Sequence, residues 1–383
     1  MSAPLGVGII GCGNISSTYF RLAPLFRDIE VRACADRDPA AARARAEEFG
    51  VAAQTVDELL ANEAVDVVVN LTVPAAHADI SRRALEAGCH VYSEKPFVLS
   101  TAEGEALVAL ADERGLRVGS APDTFLGGAH QRARALIDAG EIGRVTGGTC
   151  HVMSRGMEAW HPNPDFFFQP GAGPVLDIGP YYVTDLIQLL GPVRRVVAMS
   201  ATPRAERTIG SGARAGERVP VATPTTVHAL LELESGAVVT LGTSWDVGPS
   251  AHPSIELHGE RGTLLVPDPN FFGGELVLRR DGAGHGAPSE DETLDGTGHP
   301  FGVPNQDHSR GPVANYRTAG LADMAAAIRD GRPHRCSQAL ALHAIDVMSS
   351  ILAAAERGAS VEVATTCERP APLTADEARA LLA

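Results

Sequence analysis

The sequence predicts an α/β protein in two unequal parts. An N-terminal doubly wound parallel sheet is followed by a C-terminal α/β domain with a largely antiparallel open sheet. Three observations predict this. Over residues 5–119, short apolar runs alternate with helical stretches, the pattern of a sheet covered on both faces. The first run feeds a glycine-rich turn, Gly11-Cys12-Gly13-Asn14-Ile15-Ser16, that opens a helix. After Gly119 the rhythm changes to closely spaced β-type runs with hairpin signals at Ser235-Gly236 and Arg261-Gly262. A chain of 383 residues exceeds one ordinary core, and we expect domains at 1–122 and 123–383.

Leu5–Gly11 has no helical period and reads as a buried strand. In the turn after it, Gly11 makes the tight bend. Gly13 lets the backbone approach a pyrophosphate at the helix N-terminus, with Asn14 and Ile15 beside it. Ser16 stands where a third glycine is usual and is small enough for close helix–strand packing. The strand Glu30–Ala35 ends in Asp36, 20 residues after Ser16, where a carboxylate holds ribose hydroxyls. The competing reading of Asp36 is a cap for the helix opened by Asp38-Pro39. An arginine at position 37 suits a 2′-phosphate, but with Asp36 present NAD is the expected cofactor and NADP the alternative.

Helices are expected over Pro39–Phe49 and Asp57–Asn62, then a strand over Val65–Leu71 that runs into Thr72-Val73-Pro74. Thr72 and Pro74 join the expected cofactor contacts. His77 opens the next helix, Ala78–Ala87, as either a cofactor contact or a solvated residue of the cap region. The strand His90–Ser93 delivers the corner Glu94-Lys95-Pro96, followed by a helix over Thr101–Arg114 and a strand over Leu116–Gly119.

Lys95 is the only lysine; the other 31 of the 32 basic residues are arginines. Its survival points to a position where a compact, tunable ammonium is needed and a planar guanidinium will not serve. It follows a strand end, where loop residues face the cleft of an open α/β sheet.

The net charge of −15 argues against nucleic acid or an anionic membrane surface as partners. Six dispersed cysteines without a C-x-x-C pair read as buried thiols in a reducing compartment. No apolar run approaches 18 residues and the N-terminus lacks a signal-peptide pattern, so a cytoplasmic location is expected.

In the second part, a helix over Gly128–Ala139 and a strand over Arg144–Ser154 precede an irregular aromatic stretch, Met157–Phe168. Arg155, Trp160, His161 and Trp245 are candidates for a substrate wall. Asp177 and Tyr181, four residues apart, share a helix face if Asp177 lies in the first turn. The bland alternatives are an N-cap for Asp177 and a core aromatic for Tyr181.

Strands follow over Arg195–Thr202, Thr226–Leu233, Ala237–Ser244, Ser254–His258 and Gly262–Val266. Residues 204–218 read as a surface excursion and 281–313 as a Gly/Pro-rich loop. That loop carries His285, His299 and His308, whose spacing does not suit a metal site. The expected tail is two helices over Gly320–Asp330 and Ser337–Arg357, a strand over Ser360–Val363 and a helix over Thr374–Leu382.

Together, the glycine turn, Asp36, Thr72–Pro74, Glu94-Lys95-Pro96 and Gly171…Asp177…Tyr181 resemble the Gfo/Idh/MocA family of oxidoreductases, over residues 5 to about 365. The resemblance implies an N-terminal Rossmann domain, a tightly bound NAD or NADP, and hydride transfer at a ring secondary alcohol of a sugar, glycoside or cyclitol. It also implies Lys95, Asp177 and Tyr181 as catalytic residues, and a homo-oligomer, dimer or tetramer, through the open sheet. Many members carry histidine four residues after the aspartate. Tyr181 here resembles the glucose–fructose oxidoreductase and dihydrodiol dehydrogenase branches, and Tyr182 leaves the register open by one residue. An ordinary tyrosine ionises too high to serve as a base near neutrality, and a lysine ammonium beside it favours the phenolate. The competing functions are an NAD-dependent glycosidase working by transient oxidation and elimination, and a non-catalytic cofactor sensor.

Overall fold

The computed structural model describes residues 3–280, 289–309 and 311–383. The first sheet contains β1 (Leu5–Ile10), β2 (Ile29–Ala35), β3 (Ala52–Gln54), β4 (Val67–Asn70), β5 (His90–Ser93) and β6 (Val118–Ser120). Its order is β3-β2-β1-β4-β5-β6, and every pairing is parallel. The helices α1 (Ser16–Leu22), α2 (Pro39–Phe49), α3 (Val56–Leu60), α4 (Pro74–Glu86) and α5 (Thr101–Arg114) connect the strands. Strand order reverses between β1 and β4, so the turns after these two strands open the crevice where such sheets bind ligands.

Local chemistry explains the boundaries. Asp38 caps α2 by accepting from Ala40 N at 2.9 Å, and Gly50 ends it in the left-handed region at φ 70°. Ser100 and Glu103 form a reciprocal capping box at the start of α5. α4 begins at Pro74, before the expected Ala78, because proline suits the first helical position. β3 escaped notice because Ala-Ala-Gln has no apolar run.

The second sheet is built from β7 (Val145–Met153) and β8 (Val193–Ala201), with β9 (Glu206–Thr208) and β10 (Arg218–Pro220) forming a separate hairpin. Its remaining strands are β11 (Thr226–Leu233), β12 (Val238–Ser244), β13 (Ile255–Gly259), β14 (Gly262–Val266), β15 (Glu275–Arg280), β16 (Glu290–Asp295) and β17 (Val361–Glu362). The nine-stranded order is β16-β15-β14-β13-β7-β12-β11-β8-β17, antiparallel except for β7 with β12.

The helices of this half are α6 (Gly128–Asp138), α7 (Pro174–Asp177), α8 (Gly179–Leu190), α9 (Ala319–Asp330), α10 (Gln338–Arg357) and α11 (Ala375–Leu381). All of α8 except Leu190 is buried, and α10 packs between it, β8 and α5. α10 is long and apolar enough to cross a membrane by length and composition alone, but it is a core helix here. The opposite sheet face is open and leaves Val197, Met199, Leu230 and Val238 exposed. The chain end returns to the first half: Arg27 N donates to Leu381 O, and Asp28 pairs with Arg329.

Two expectations are corrected. Residues 204–218 are not a mere surface excursion, because β9 and β10 bury Ile209 and Val219 against Phe168 and Trp245. The stretch expected as a loop from 281 contains β16, whose alternating charges pair with those of β15 through Arg279–Asp291 and Arg280–Glu292. Residues 281–288, with His285, lie outside the described residues. His299 caps a short turn and bonds Leu373 O at 3.1 Å.

Candidate active site

The glycine turn after β1 divides its work as its chemistry requires. Gly11 has φ 105°, and a Cβ there would sit 2.5 Å from the carbonyl group of Leu71. A Cβ on Gly13 would meet nothing within 4 Å, so its backbone faces open space. Ser16 is fully buried and donates its hydroxyl to Gly13 O at 2.6 Å, which fits it to the third glycine position.

Asp36 accepts from Cys12 N at 2.7 Å and Asp38 N at 2.8 Å, so it braces the turn from the tip of β2. The cap is Asp38, not Asp36. Arg37 is exposed, as are Asn14, Val73 and Pro74, with Ile15 and Thr72 partly so. These groups fit a dinucleotide along the crevice: an open backbone approach, a carboxylate at the second strand and an apolar Val73 left 67% exposed.

His77 does not fit that set. It lies inside α4 at 1% exposure, with its ring nitrogens 2.7 Å from Pro96 O and 2.9 Å from Thr72 O. Burial pushes its pKa down. It braces the two loops from behind and presents nothing to the crevice.

The corner after β5 is held by Glu94, whose carboxylate accepts from Tyr19 Oη at 3.0 Å and Lys95 N at 2.8 Å. Lys95 Nζ then donates across the crevice to Asp177 O at 2.7 Å and Asp177 Oδ1 at 2.9 Å. The ammonium lies 5.5 Å from the centre of the Tyr181 ring. Burial opposes its charge, but Asp177, Tyr181 and Glu94 outweigh burial and hold it well above the ordinary lysine range. Lys95 is therefore a standing cation near neutrality.

Asp177 and Tyr181 do not share one helix. α7 ends at Asp177 and α8 begins at Gly179, with Ile178 between them at φ −106°. Asp177 is not an N-cap. The break aims its carboxylate and carbonyl at the same ammonium while Tyr181 turns in beside it.

A cavity of about 1110 Å³ opens beside Lys95 and Asp177, with Trp160, His151, His252 and Asp268 among its walls. Tyr182 lines this cavity and donates to Asp268 Oδ1 at 3.0 Å. Burial and then Asp268 push the Tyr182 phenol up. Tyr181 is 8% exposed, against 3% for Tyr182.

The wall candidates separate. Trp160 is 62% exposed on the cavity. His161 stacks edge-on against Trp160, Phe166 and Phe167, supporting the wall from outside. Arg155 is exposed near Gly248. Trp245 is not a wall residue, because it is fully buried beneath Phe167 and Phe168. An aromatic at a strand end gives no sign of which side the hairpin will cover.

Sequence reasoning passed over Arg317. Its Nη2 donates to Asn270 O at 3.3 Å and Oδ1 at 3.1 Å. It also passed over the stacked rings of His151 and His252, 4.0 Å apart. No local motif marks these residues, which converge only through tertiary folding.

Residues 5–121 match the oxidoreductase family described by its NAD-binding Rossmann fold, and residues 130–265 match the GFO/IDH/MocA C-terminal domain. The chain is 35% identical over 198 residues to a dTDP-3,4-didehydro-2,6-dideoxy-alpha-D-glucose 3-reductase of Streptomyces violaceoruber, covering 50% of this chain and 56% of that protein. The enzyme of the same name from Saccharopolyspora spinosa is 30% identical over 273 residues, covering 70% and 75%. A levoglucosan dehydrogenase solved in complex with NADH shares the fold at TM-score 0.79 and 21% identity, covering 94% of this chain and all of that one.

Proposed function

This chain belongs to the Gfo/Idh/MocA family of oxidoreductases, with an NAD-binding Rossmann domain, and from that premise we propose that it oxidises or reduces a secondary alcohol on a sugar, glycoside or cyclitol ring. The observation that carries the reading is the convergence of Lys95, Asp177 and Tyr181 where the dinucleotide crevice meets the cavity. Bound NAD supplies the hydride acceptor. Asp177 fixes Lys95. Lys95 remains an ammonium beside Tyr181, the group that takes the hydroxyl proton as the alcohol is oxidised. Tyr181 suits this better than Tyr182, whose hydroxyl is committed to a carboxylate.

Among the described residues that line the cavity, Lys95 is the sole Lys or Arg. Asp36 favours NAD over NADP, and the open sheet face suits a homo-oligomer. A cytoplasmic setting accords with six free cysteines, five of them buried.

The test is a panel of free sugars, inositols and nitrophenyl glycosides with NAD. NADH appearance that Tyr181→Phe removes and Tyr182→Phe spares is the expected result. Aglycone release without net NADH would instead mark the chain as a redox-assisted glycosidase.

A further inference from the structure

We infer that Asp268 is a specificity-determining residue of this site: its carboxylate accepts a hydroxyl of the ring held in the cavity, and Tyr182 positions it for that. This rests on the reading that the cavity takes a ring alcohol. The hydroxyl that Asp268 holds is not the one that reacts at Lys95 and Tyr181.

Asp268 lines the cavity together with Lys95, Asp177 and Tyr182. Asp177 and Asp268 are the two carboxylates among the described lining residues, and their partners differ. Asp177 Oδ1 accepts from the Lys95 ammonium at 2.9 Å. The donors to Asp268 are neutral, Tyr182 Oη at 3.0 Å and Asn270 N at 3.0 Å. Both go to Oδ1, and Oδ2 has no hydrogen bond among the described residues. Each oxygen of a carboxylate accepts two hydrogen bonds, so Asp268 keeps acceptor capacity on a ligand cavity. A half-satisfied carboxylate is a poor wall for an apolar ligand and a good one for a polyol.

The loop after β14 holds this carboxylate still. Asp268 stands between Pro267 and Pro269. Pro267 fixes its own φ, and Pro269 keeps Asp268 out of the helical region. Phe271 N donates to Asp268 O at 3.1 Å and closes the turn. Two buried partners pin the far side. Arg317 Nη2 donates to Asn270, and His130 Nε2 lies 2.8 Å from Phe271 O. His130 Nδ1 is in turn 3.0 Å from Asp185 on α8. Tyr182 stands on that helix, one residue after Tyr181. Burial and then Asp268 itself push the Tyr182 phenol up, so it stays a donor near neutrality. One helix thus carries the proposed proton-transfer group and, beside it, the phenol that orients Asp268. A ring gripped by a second hydroxyl is fixed in rotation, and that choice decides which carbon meets the nicotinamide.

Asp268→Asn tests this with little change of shape. Its amide oxygen can keep the bonds from Tyr182 and Asn270, while the free end becomes a donor instead of an acceptor. NAD-loaded protein is titrated with the free sugars, inositols and nitrophenyl glycosides of the activity panel, and with monodeoxy analogues of the best ring. Calorimetry reads binding and NADH reads turnover. Wild type should lose about 10-fold or more in kcat/KM when one hydroxyl away from the reacting carbon is removed. Asp268→Asn should raise KM and Kd for the parent ring by about that factor, with kcat changed less than about threefold, and should lose the discrimination against that analogue. Tyr182→Phe should raise KM by less, and should add little to Asp268→Asn because it acts through the same carboxylate. A folded Asp268→Asn with KM and Kd within about twofold of wild type would overturn the inference. So would full discrimination against every deoxy analogue in that variant. Ring binding that Asp268→Asn weakens, with no NADH from either protein, would keep Asp268 as a hydroxyl acceptor and remove the dehydrogenase reading.

Discussion

Lys95 can be tested against the composition that drew attention to it. If a positive charge were all the site needed, Lys95→Arg would be nearly silent in a chain that uses arginine everywhere else. Two bonds to Asp177 fix a compact ammonium 5.5 Å from the Tyr181 ring, and a guanidinium cannot occupy that point. Turnover should fall by about 10²-fold or more in Lys95→Arg, with little change in NAD affinity, and the double mutant with Tyr181→Phe should cost less than the product of the singles. Turnover within threefold of wild type would remove Lys95 from the mechanism. At the other end of the crevice, Asp36→Ala should weaken NAD far more than NADP, because the carboxylate repels a 2′-phosphate. Wild-type preference for NADP would refute that assignment. The residues legible in the sequence, Gly11, Gly13, Asp36, Lys95 and Asp177, are those fixed by spacing from a strand end or helix start. Trp245 and His77 were misjudged because their identities suit a ligand while their burial depends on distant chain. Arg317 was invisible for the same reason: its partner Asn270 lies on another segment.

At the scale of elements, the strands and helices were readable wherever apolar period, cap and stop agreed, as in α2 and β11. They were missed where stability comes from tertiary contacts. The β9–β10 hairpin is the clearest case, since an Arg/Gly/Ala-rich stretch gives no apolar signal. Within it Arg207, whose side chain is 1% exposed, pairs with Glu158 at 3.0 Å and Asp246 at 2.5 Å. Arg207→Met should destabilise the protein by about 3 kcal/mol, the scale of leaving buried charges unpaired, and denaturant unfolding reads it directly. A loss below about 1 kcal/mol would mean that water enters the site freely. The turn before α9 supplies a pH test. Burial pushes Asp123 up to about 6, against the bonds from Gly320 N and Thr318 N and the charge of Arg317. The ordinary value is 3.8, so the folded state binds the proton more tightly than the unfolded chain. The contribution of Asp123 is then fully present below the unfolded value and is lost as pH rises through about 6. Asp123→Asn should gain Tm relative to wild type between pH 5 and pH 7, the gain growing with pH; a gain that does not change with pH would contradict the assignment.

At the scale of the whole molecule, one face of the nine-stranded sheet has no cover among the described residues. Helices α8 and α10 pack on one side of the nine-stranded sheet, and burial alternates along β11 so that every second residue points to the open side. That side holds Met199 at 80% exposure, Leu230 at 49% and Val197 at 45%, with Val197 opposite Leu230 in register. Scattered apolar residues on a surface need no explanation, but adjacent ones across paired strands form a patch. A second copy is the natural cover, since a two-fold axis pairs the same patch with itself. The charges around the patch, Arg194 and Arg195 with Glu232, are already paired within the sheet, so docking would not strand them. The prediction is a dimer or tetramer by light scattering at micromolar concentration. Met199→Asp with Leu230→Asp should reduce it to monomer, because the same carboxylates would face each other across the axis, while NAD binding at the distant crevice stays unchanged. A monomeric wild type would leave this face unexplained. The mutant also separates assembly from catalysis: His151 and Gly242, opposite each other in register, carry the row of Met199 and His228 toward the cavity wall. Loss of the partner should therefore raise KM for the sugar more than it lowers kcat, because Lys95, Asp177 and Tyr181 are held within one chain.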